Sequence, residues 1–265
     1  MGAPLREWIL RTIGAVALVA GTMRIVTWSV AWQIRVALLV IVFGLLVDQA
    51  FRRLPAFDPF GRIRWRLPSG VRERRWCAVT FDDGPTAATA AVLDILAAEG
   101  VPATFFVLGQ NVERLPWIVQ RAQVEGHAIG LHGTDHSKLA GAGVETVEAQ
   151  VAGLSSLLRQ HGVHPAPLYR TPHGHKSRSV FTVAQRHGLT LWAWTRGIWD
   201  TDNPKDPAVL VRRATRLVRS GMVLLLHDGR GDEPSPDVSA MVAALPEILR
   251  ELKRRRFEFV RLADV

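Results

Sequence analysis

The sequence predicts an α/β fold built on a parallel sheet or barrel and preceded by an apolar helical segment. From residue 76 onward, short apolar runs alternate with longer helical stretches, as parallel strands joined by crossover helices require. Glycines recur where those helices should stop. Ahead of them, residues 8–47 are almost continuously apolar. The 265 residues amount to about one domain plus an extension, and 48% hydrophobic content is enough for a sizeable core.

The amino-terminal segment divides into apolar runs at 13–23, 25–34 and 36–47, interrupted by Arg24 and Arg35. Residues 25–47 are long enough to span a bilayer, although an arginine at the centre of a span costs roughly 2.5–3.5 kcal/mol on insertion scales. Three other arrangements satisfy the same composition: a two-helix hairpin turning near Arg24, a buried helix pair of a soluble domain, and a long helix lying in the membrane interface. In the last, Arg6, Arg24 and Arg35 share one face at 100° per residue. The run is too long, and lacks a clear small-x-small exit, for a cleaved signal peptide. We read residues 1–50 as a hydrophobic helical membrane anchor, 51–75 as an arginine-rich linker, and 76–265 as the functional domain. Arg52, Arg53, Arg62, Arg64, Arg66, Arg72, Arg74 and Arg75 crowd the linker, so the positive-inside rule predicts membrane association with the domain on the cytoplasmic side.

Within the domain, short buried strands are predicted at 77–81, 103–107, 168–170, 189–194, 222–226 and 257–260. Helices are predicted at 87–99, 112–125, 144–161, 177–186, 208–219 and 238–255. Gly100, Gly126, Gly162, Gly188 and Gly221 fall at helix ends. Folds of this class collect their chemistry at the carboxyl ends of the strands.

The formal charge of +9 suggests an anionic partner. The basic residues are scattered and form no nucleic-acid-binding motif, which excludes nucleic acid and favours a membrane surface or a phosphorylated substrate. Cys77 is the only cysteine, so an internal disulfide and a CxxC metal site are both excluded.

Polar residues cluster at five predicted strand ends. The first strand runs into Asp82-Asp83-Gly84-Pro85. Alone this reads as a turn, but two adjacent carboxylates at a sheet mouth point in different directions, so one can bind a metal while the other handles a proton. His132 and His136 are spaced to present two imidazoles to one cation from a single helical turn. With an aspartate they make a three-ligand set, which leaves positions open for water and substrate as catalytic sites do. Further strand ends supply Arg170-Thr171-Pro172-His173-Gly174-His175, then Trp199-Asp200, then His227-Asp228-Gly229. Singly, Arg170 reads as a surface cation, Asp200 as a cap and His227 as a satisfied strand-end histidine. Together they read as one site.

On these motifs, residues 76–265 resemble the polysaccharide deacetylases with a NodB homology domain, carbohydrate esterase family 4. Thr80-Phe81-Asp82-Asp83-Gly84-Pro85 matches the family's first motif in full. His132-x-x-x-His136 resembles the second, Arg170-x-Pro172-x-Gly174 the third and Leu225-Leu226-His227 the fifth. The resemblance implies a distorted (β/α)7 barrel that hydrolyses an N-acetyl or other N-acyl group from an amino sugar, in a polysaccharide, another N-acylated glycan or a lipid-linked glycolipid. It implies a divalent metal, commonly Zn2+, with Co2+, Ni2+ or Mn2+ as substitutes, on Asp83, His132 and His136. Asp82 would be the base oriented by Arg170, and His227 the acid tuned by Asp200. His173, Trp199 and Leu225 would contact substrate or oxyanion. The chain departs from the family pattern at Gly133 (Ser or Thr), His173 (Tyr), Gly197 (an acid) and Thr201 (Trp). The catalytic set is kept while the sugar-contacting rim is altered, as expected of an unusual substrate. The alternative is a non-catalytic carbohydrate- or metal-binding relative.

Overall fold

The computed structural model describes residues 3–53, 63–68, 75–202, 204, 206–231 and 233–265; in the first helix, side chains are described only at 14, 16–21, 23 and 29–46. Arg62, Arg72 and Arg74 of the linker lie outside the described residues, as do the side chains of Arg6, Arg24, Arg52 and Arg53. The chain divides into two compact units, residues 1–50 and 51–265.

The first unit is one uninterrupted helix, α1 (Ala3–Arg53). No proline falls between Pro4 and Pro55, so nothing forces a break. At 1.5 Å per residue it is about 77 Å long. The hairpin turning near Arg24 is therefore corrected to a continuous helix. The buried helix pair is corrected as well: Ser29–Leu46 has a mean hydropathy of 2.1 and none of it is buried within the chain. Leu38, Leu39, Phe43 and Leu46 are all exposed.

The second unit carries β1 (Ile63–Arg64), β2 (Trp76–Asp82), α2 (Ala87–Glu99), β3 (Thr104–Val107), α3 (Gly109–Arg114), α4 (Pro116–Val124), β4 (Ala128–Leu131), α5 (Val144–Gln160), β5 (Leu168–Tyr169), α6 (Arg178–Arg186), β6 (Thr190–Trp192), β7 (Arg196–Gly197), α7 (Pro207–Thr215), β8 (Met222–His227), α8 (Ser239–Arg254) and β9 (Glu258–Phe259). The strands are ordered β1-β6-β5-β4-β3-β2-β8-β7, with β9 also pairing with β2, and every pair is parallel. Among the described residues no pair joins β7 to β1, so the sheet is an open, curled half-barrel whose edges are those two strands.

Strand β2 is central because both of its faces are buried. Cys77, Val79 and Phe81 pack into the main core, while Ala78 packs into a second cluster with Phe106, Trp192 and Val223. Such two-sided burial gives the continuous apolar run that parallel strands show. Helix α2 starts on a capping box between Thr86 and Thr89 and ends at Gly100, whose φ of 59° suits glycine. Its Val92, Leu93 and Leu96 join Ile248, Leu249 and Leu252 of α8 in the main core.

Three strands differ from the sequence expectation. β4 contains Gly130, where a Cβ would lie 2.8 Å from the Phe106 ring, so packing rather than β propensity selects its residues. β7 has two residues and no apolar pattern. β1 comes from the expected linker, and Leu67 just after it is buried with its N–H donated to the Gly221 carbonyl (2.9 Å). The helix expected at 112–125 is two helices, broken at Leu115 because Pro116 opens α4.

Leu96 is fully buried in the main core. Leu96→Ala is expected to destabilise the domain by about 2–5 kcal/mol, read as a lower midpoint in urea unfolding followed by tryptophan fluorescence.

Candidate active site

The carboxyl end of β2 delivers Asp82 and Asp83, both 3% exposed. Arg170, just beyond β5 and 1% exposed, donates from Nη1 to Asp82 Oδ1 (2.7 Å) and to Thr80 Oγ1 (2.8 Å). Its Nη2 donates to the Ala193 carbonyl (3.0 Å) and its Nε to the Trp192 carbonyl (3.3 Å). The surface-cation reading of Arg170 is thereby excluded. All three guanidinium nitrogens are committed, so Asp82 is held in one orientation with an ionised partner, the strong form of hydrogen bond.

Asp83 turns the opposite way through a left-handed backbone, φ 73°. Its main-chain carbonyl accepts from Asn111 Nδ2 (2.7 Å) and its Oδ2 from the Gly231 N–H (2.8 Å). Oδ1 is sealed from water without a hydrogen-bond partner, yet stands 3.2 Å from His132 Nε2 and 3.3 Å from His136 Nε2. The ligand atoms of these three residues lie within 4.8 Å of one another. His132 Nδ1 donates to the Arg170 carbonyl (2.7 Å); a carbonyl can only accept, so in its neutral form the ring turns the Nε2 lone pair toward Asp83. Burial holds His136 below its ordinary pKa, against the pull of Asp83, which favours the neutral, ligating form. An orphaned carboxylate oxygen facing two imidazole lone pairs fits a divalent cation.

The two histidines are not on one helical turn, as the sequence suggested. His132 follows β4 directly and His136 lies in the loop beyond it. Gly133 makes this possible with a φ of 104°, and a Cβ there would meet Gln150 Oε1 at 2.8 Å. Gln150 accepts from the N–H groups of Thr134 (2.8 Å) and Asp135 (3.2 Å), bracing the loop from α5. That role left no trace in the sequence, because a glutamine inside a helix carries no signal.

His227 ends β8, in register with Asp82. Its Nδ1 donates to Asp200 Oδ1 (3.0 Å) and its main-chain N–H to Asp200 Oδ2 (2.7 Å). Burial is the largest single influence and opposes the imidazolium, but the charge and hydrogen bond of Asp200, joined by the charges of Asp83 and Asp82, together outweigh it and raise the pKa to about 9. The next residue, Asp228, accepts from Thr89 Oγ1 (2.6 Å) and is pushed up to about 7 by burial. It packs so closely under the Asp82-Asp83 turn that a Cβ on Gly84 would lie 2.2 Å from its Oδ2.

Asp82, Asp83, His132, His136 and His227 line a cavity of about 690 Å³ together with His173, Trp194, Gly197, Ile198, Trp199, Thr201, Leu225 and Arg230. His173, at φ 57°, donates from Nε2 to the His136 carbonyl (3.2 Å) with its ring 4.1 Å from that of His136. Trp199 is 67% exposed and its carbonyl is held by Arg213 Nη1 (3.2 Å), leaving an aromatic face on the rim. Leu225 is buried in the floor. At Gly197 a Cβ would already stand 3.2 Å from Trp194 Nε1, so Trp194 occupies the space an acid would need. All ten residues singled out in the sequence thus converge on one cavity or its supporting wall.

Comparison with known proteins agrees with this geometry. A polysaccharide deacetylase family model matches residues 69–192. A peptidoglycan-N-acetylglucosamine deacetylase of Bacillus cereus is 33% identical over 211 residues, covering 78% of this chain and 94% of its own. A chitooligosaccharide deacetylase of Sinorhizobium fredii is 33% identical over 68% of this chain and 86% of its own. The solved structure of the Bc1960 peptidoglycan N-acetylglucosamine deacetylase, bound to 4-naphthalen-1-yl-N-oxidanyl-benzamide, superposes with a TM-score of 0.72 at 27% identity. It covers 78% of this chain and 96% of its own. On this similarity and the site it surrounds, the chain belongs to the polysaccharide deacetylase family of hydrolases.

Proposed function

We propose that this protein is a metal-dependent deacetylase that hydrolyses the N-acetyl, or another N-acyl, group of an amino sugar in a glycan or glycolipid. The observation that carries this reading is the Asp83 oxygen left without a donor between two imidazole nitrogens, with Asp82 on one side and the raised-pKa His227 in register on the next strand. Asp83, His132 and His136 would hold a divalent cation, Zn2+ or one of Co2+, Ni2+ and Mn2+. Such an ion supplies Lewis acidity and lowers the pKa of water from 15.7 to about 7.

The chain's own residues supply the rest. Asp82, fixed by Arg170, accepts the proton of the attacking water through its free oxygen. His227, charged at neutral pH through Asp200, donates a proton to the leaving nitrogen, which an amide needs because an amine anion leaves poorly. His173 lines the cavity, where its N–H would serve the acyl oxygen, and Trp199 offers its ring to the sugar. Apolar walls at Ile198 and Leu225 exclude water and strengthen these charge interactions.

The exposed apolar stretch Ser29–Leu46 supports residues 1–50 as a membrane anchor, with the arginines at 52–75 as the charge that keeps the domain, residues 76–265, cytoplasmic. The named activities of the relatives favour an exported enzyme acting on cell-wall or chitin-like glycans instead. A cytoplasmic signal from a topology reporter fused after Val265 is expected; an extracytoplasmic signal selects the exported reading.

Acetate release from an N-acetylated chitooligosaccharide is expected to vanish on chelation and return with Zn2+ or Co2+. Asp82→Asn and His227→Ala should each abolish it; unchanged release in both would refute this assignment of base and acid, and no release from the wild type would leave only a binding protein. The His227 acid form is lost as pH rises through its pKa, so activity falls on the alkaline side. Asp200→Asn removes the charge that raises that pKa and should move the alkaline limb of the pH–rate profile down by about 1–3 units. Gly231→Ala places a Cβ 2.9 Å from His136 Nδ1 at a φ of 52°. Isothermal titration should show its Zn2+ affinity reduced by about 10–100-fold, the range seen when support around ligands is disturbed.

A further inference from the structure

Arg230 has no role in the chemistry above, yet it lines the same cavity. It stands three residues after His227, between two glycines pressed against the ligand set. A Cβ on Gly229 would lie 2.2 Å from the Asp83 carbonyl oxygen and one on Gly231 2.9 Å from His136 Nδ1. The Gly231 N–H is itself bonded to Asp83 Oδ2 (2.8 Å). The Arg230 backbone is therefore fixed relative to Asp83 and His136.

Its guanidinium is not satisfied. Nε and Nη2 are both shielded from water and neither has a hydrogen-bond partner. Among the described residues no carboxylate forms an ion pair with it, although Glu233 shares the cavity wall. Asp237 feels its charge but is held by Ser239. Other arginines of the domain are anchored: Arg170 on Asp82, Arg66 on the Ser220 carbonyl, Arg255 on the Thr215 carbonyl. Leaving shielded donors of a charged group unpaired is costly, and a site tolerates that where a ligand completes the pairing. Arg230 as a whole is half-buried and lines the cavity.

We infer that Arg230 is a specificity residue that grips an anionic group, a carboxylate or a phosphate, carried by the N-acylated sugar or by its immediate neighbour. The planar fork matches either anion with two parallel hydrogen bonds. The inference rests on the deacetylase reading and adds a substrate class to it: acidic amino-sugar glycans or sugar phosphates rather than neutral chitin-like chains.

The test compares kcat/KM for three substrates with the Zn2+-loaded full-length protein: neutral N,N′-diacetylchitobiose, the carboxylated disaccharide N-acetylglucosaminyl-N-acetylmuramic acid, and N-acetylglucosamine 1-phosphate. The wild type should prefer one of the two anionic substrates over the neutral one by about tenfold or more, and which one identifies the anion. In Arg230→Gln that preference should collapse toward unity, with the loss mainly in KM, while Arg230→Lys, which keeps charge but not the fork, retains part of it. Thermal melting of both variants separates a binding effect from misfolding. A wild type that prefers the neutral substrate, or an Arg230→Gln variant that folds and keeps the wild-type preference, overturns the assignment. Cleavage of the neutral substrate with no anionic preference refutes the role of Arg230 alone; failure to cleave any of the three refutes the deacetylase reading beneath it.

Discussion

Two neighbouring carboxylates shielded from water at the end of one strand form the constraint around which this domain is organised. Asp82 and Asp83 take different principal partners, because successive side chains along a strand point to opposite sides, and among the described basic side chains only His132 comes within 4 Å of both. Asp82 is answered by an arginine that is itself fully buried and tied to β2 and to the carbonyls at the end of β6. Asp83 swings into a left-handed conformation, takes one backbone donor from the loop after β8, and presents its remaining oxygen to the two histidines. The close-packed glycines at 84, 229 and 231 follow from this: each yields space to a carboxylate, its backbone or an imidazole. An isolated carboxylate without such support would neutralise itself rather than remain charged.

The residues of the candidate site were readable from the sequence because they sit in short strings after apolar runs, and because residue types such as Asp-Asp or His-x-x-x-His are few enough to stand out. The long helices were readable for a similar reason: seventeen residues of α5 or sixteen of α8 repeat their period often enough to be seen. Two-residue strands such as β1 and β7 have no period at all. β4 was hidden by Gly130, which sits there because the Phe106 ring leaves no room for a side chain. The helical placement of His132 and His136 failed because a four-residue spacing fits a loop reversed at a φ > 0 glycine as well as it fits a helix. Gln150, Asn111 and Thr80 act through contacts over long sequence separations, which a single sequence does not encode locally.

The same contrast separates the centre of the site from its rim. Groups around Asp82, Asp83 and His227 are interlocked by buried hydrogen bonds, so a change in one strands another. Trp199, His173 and Thr201 lie at the cavity mouth, where exchanging one side chain for another leaves no buried partner behind. That asymmetry accounts for the differences at His173 and Thr201, whereas Gly133 and Gly197 are packed against Gln150 and Trp194. The first helix differs from both in composition: its leucines at 38, 39, 45 and 46 and Phe43 are exposed.

Asp82 and His227 face each other as partners in the parallel ladder between β2 and β8. Their separation is thus dictated by main-chain pairing, the least adjustable dimension in a protein, and not by the pose of a mobile segment. Evolution can lengthen, shorten or rewrite the surrounding loops without altering the gap between the two, much as a vice keeps its opening while the workpiece changes.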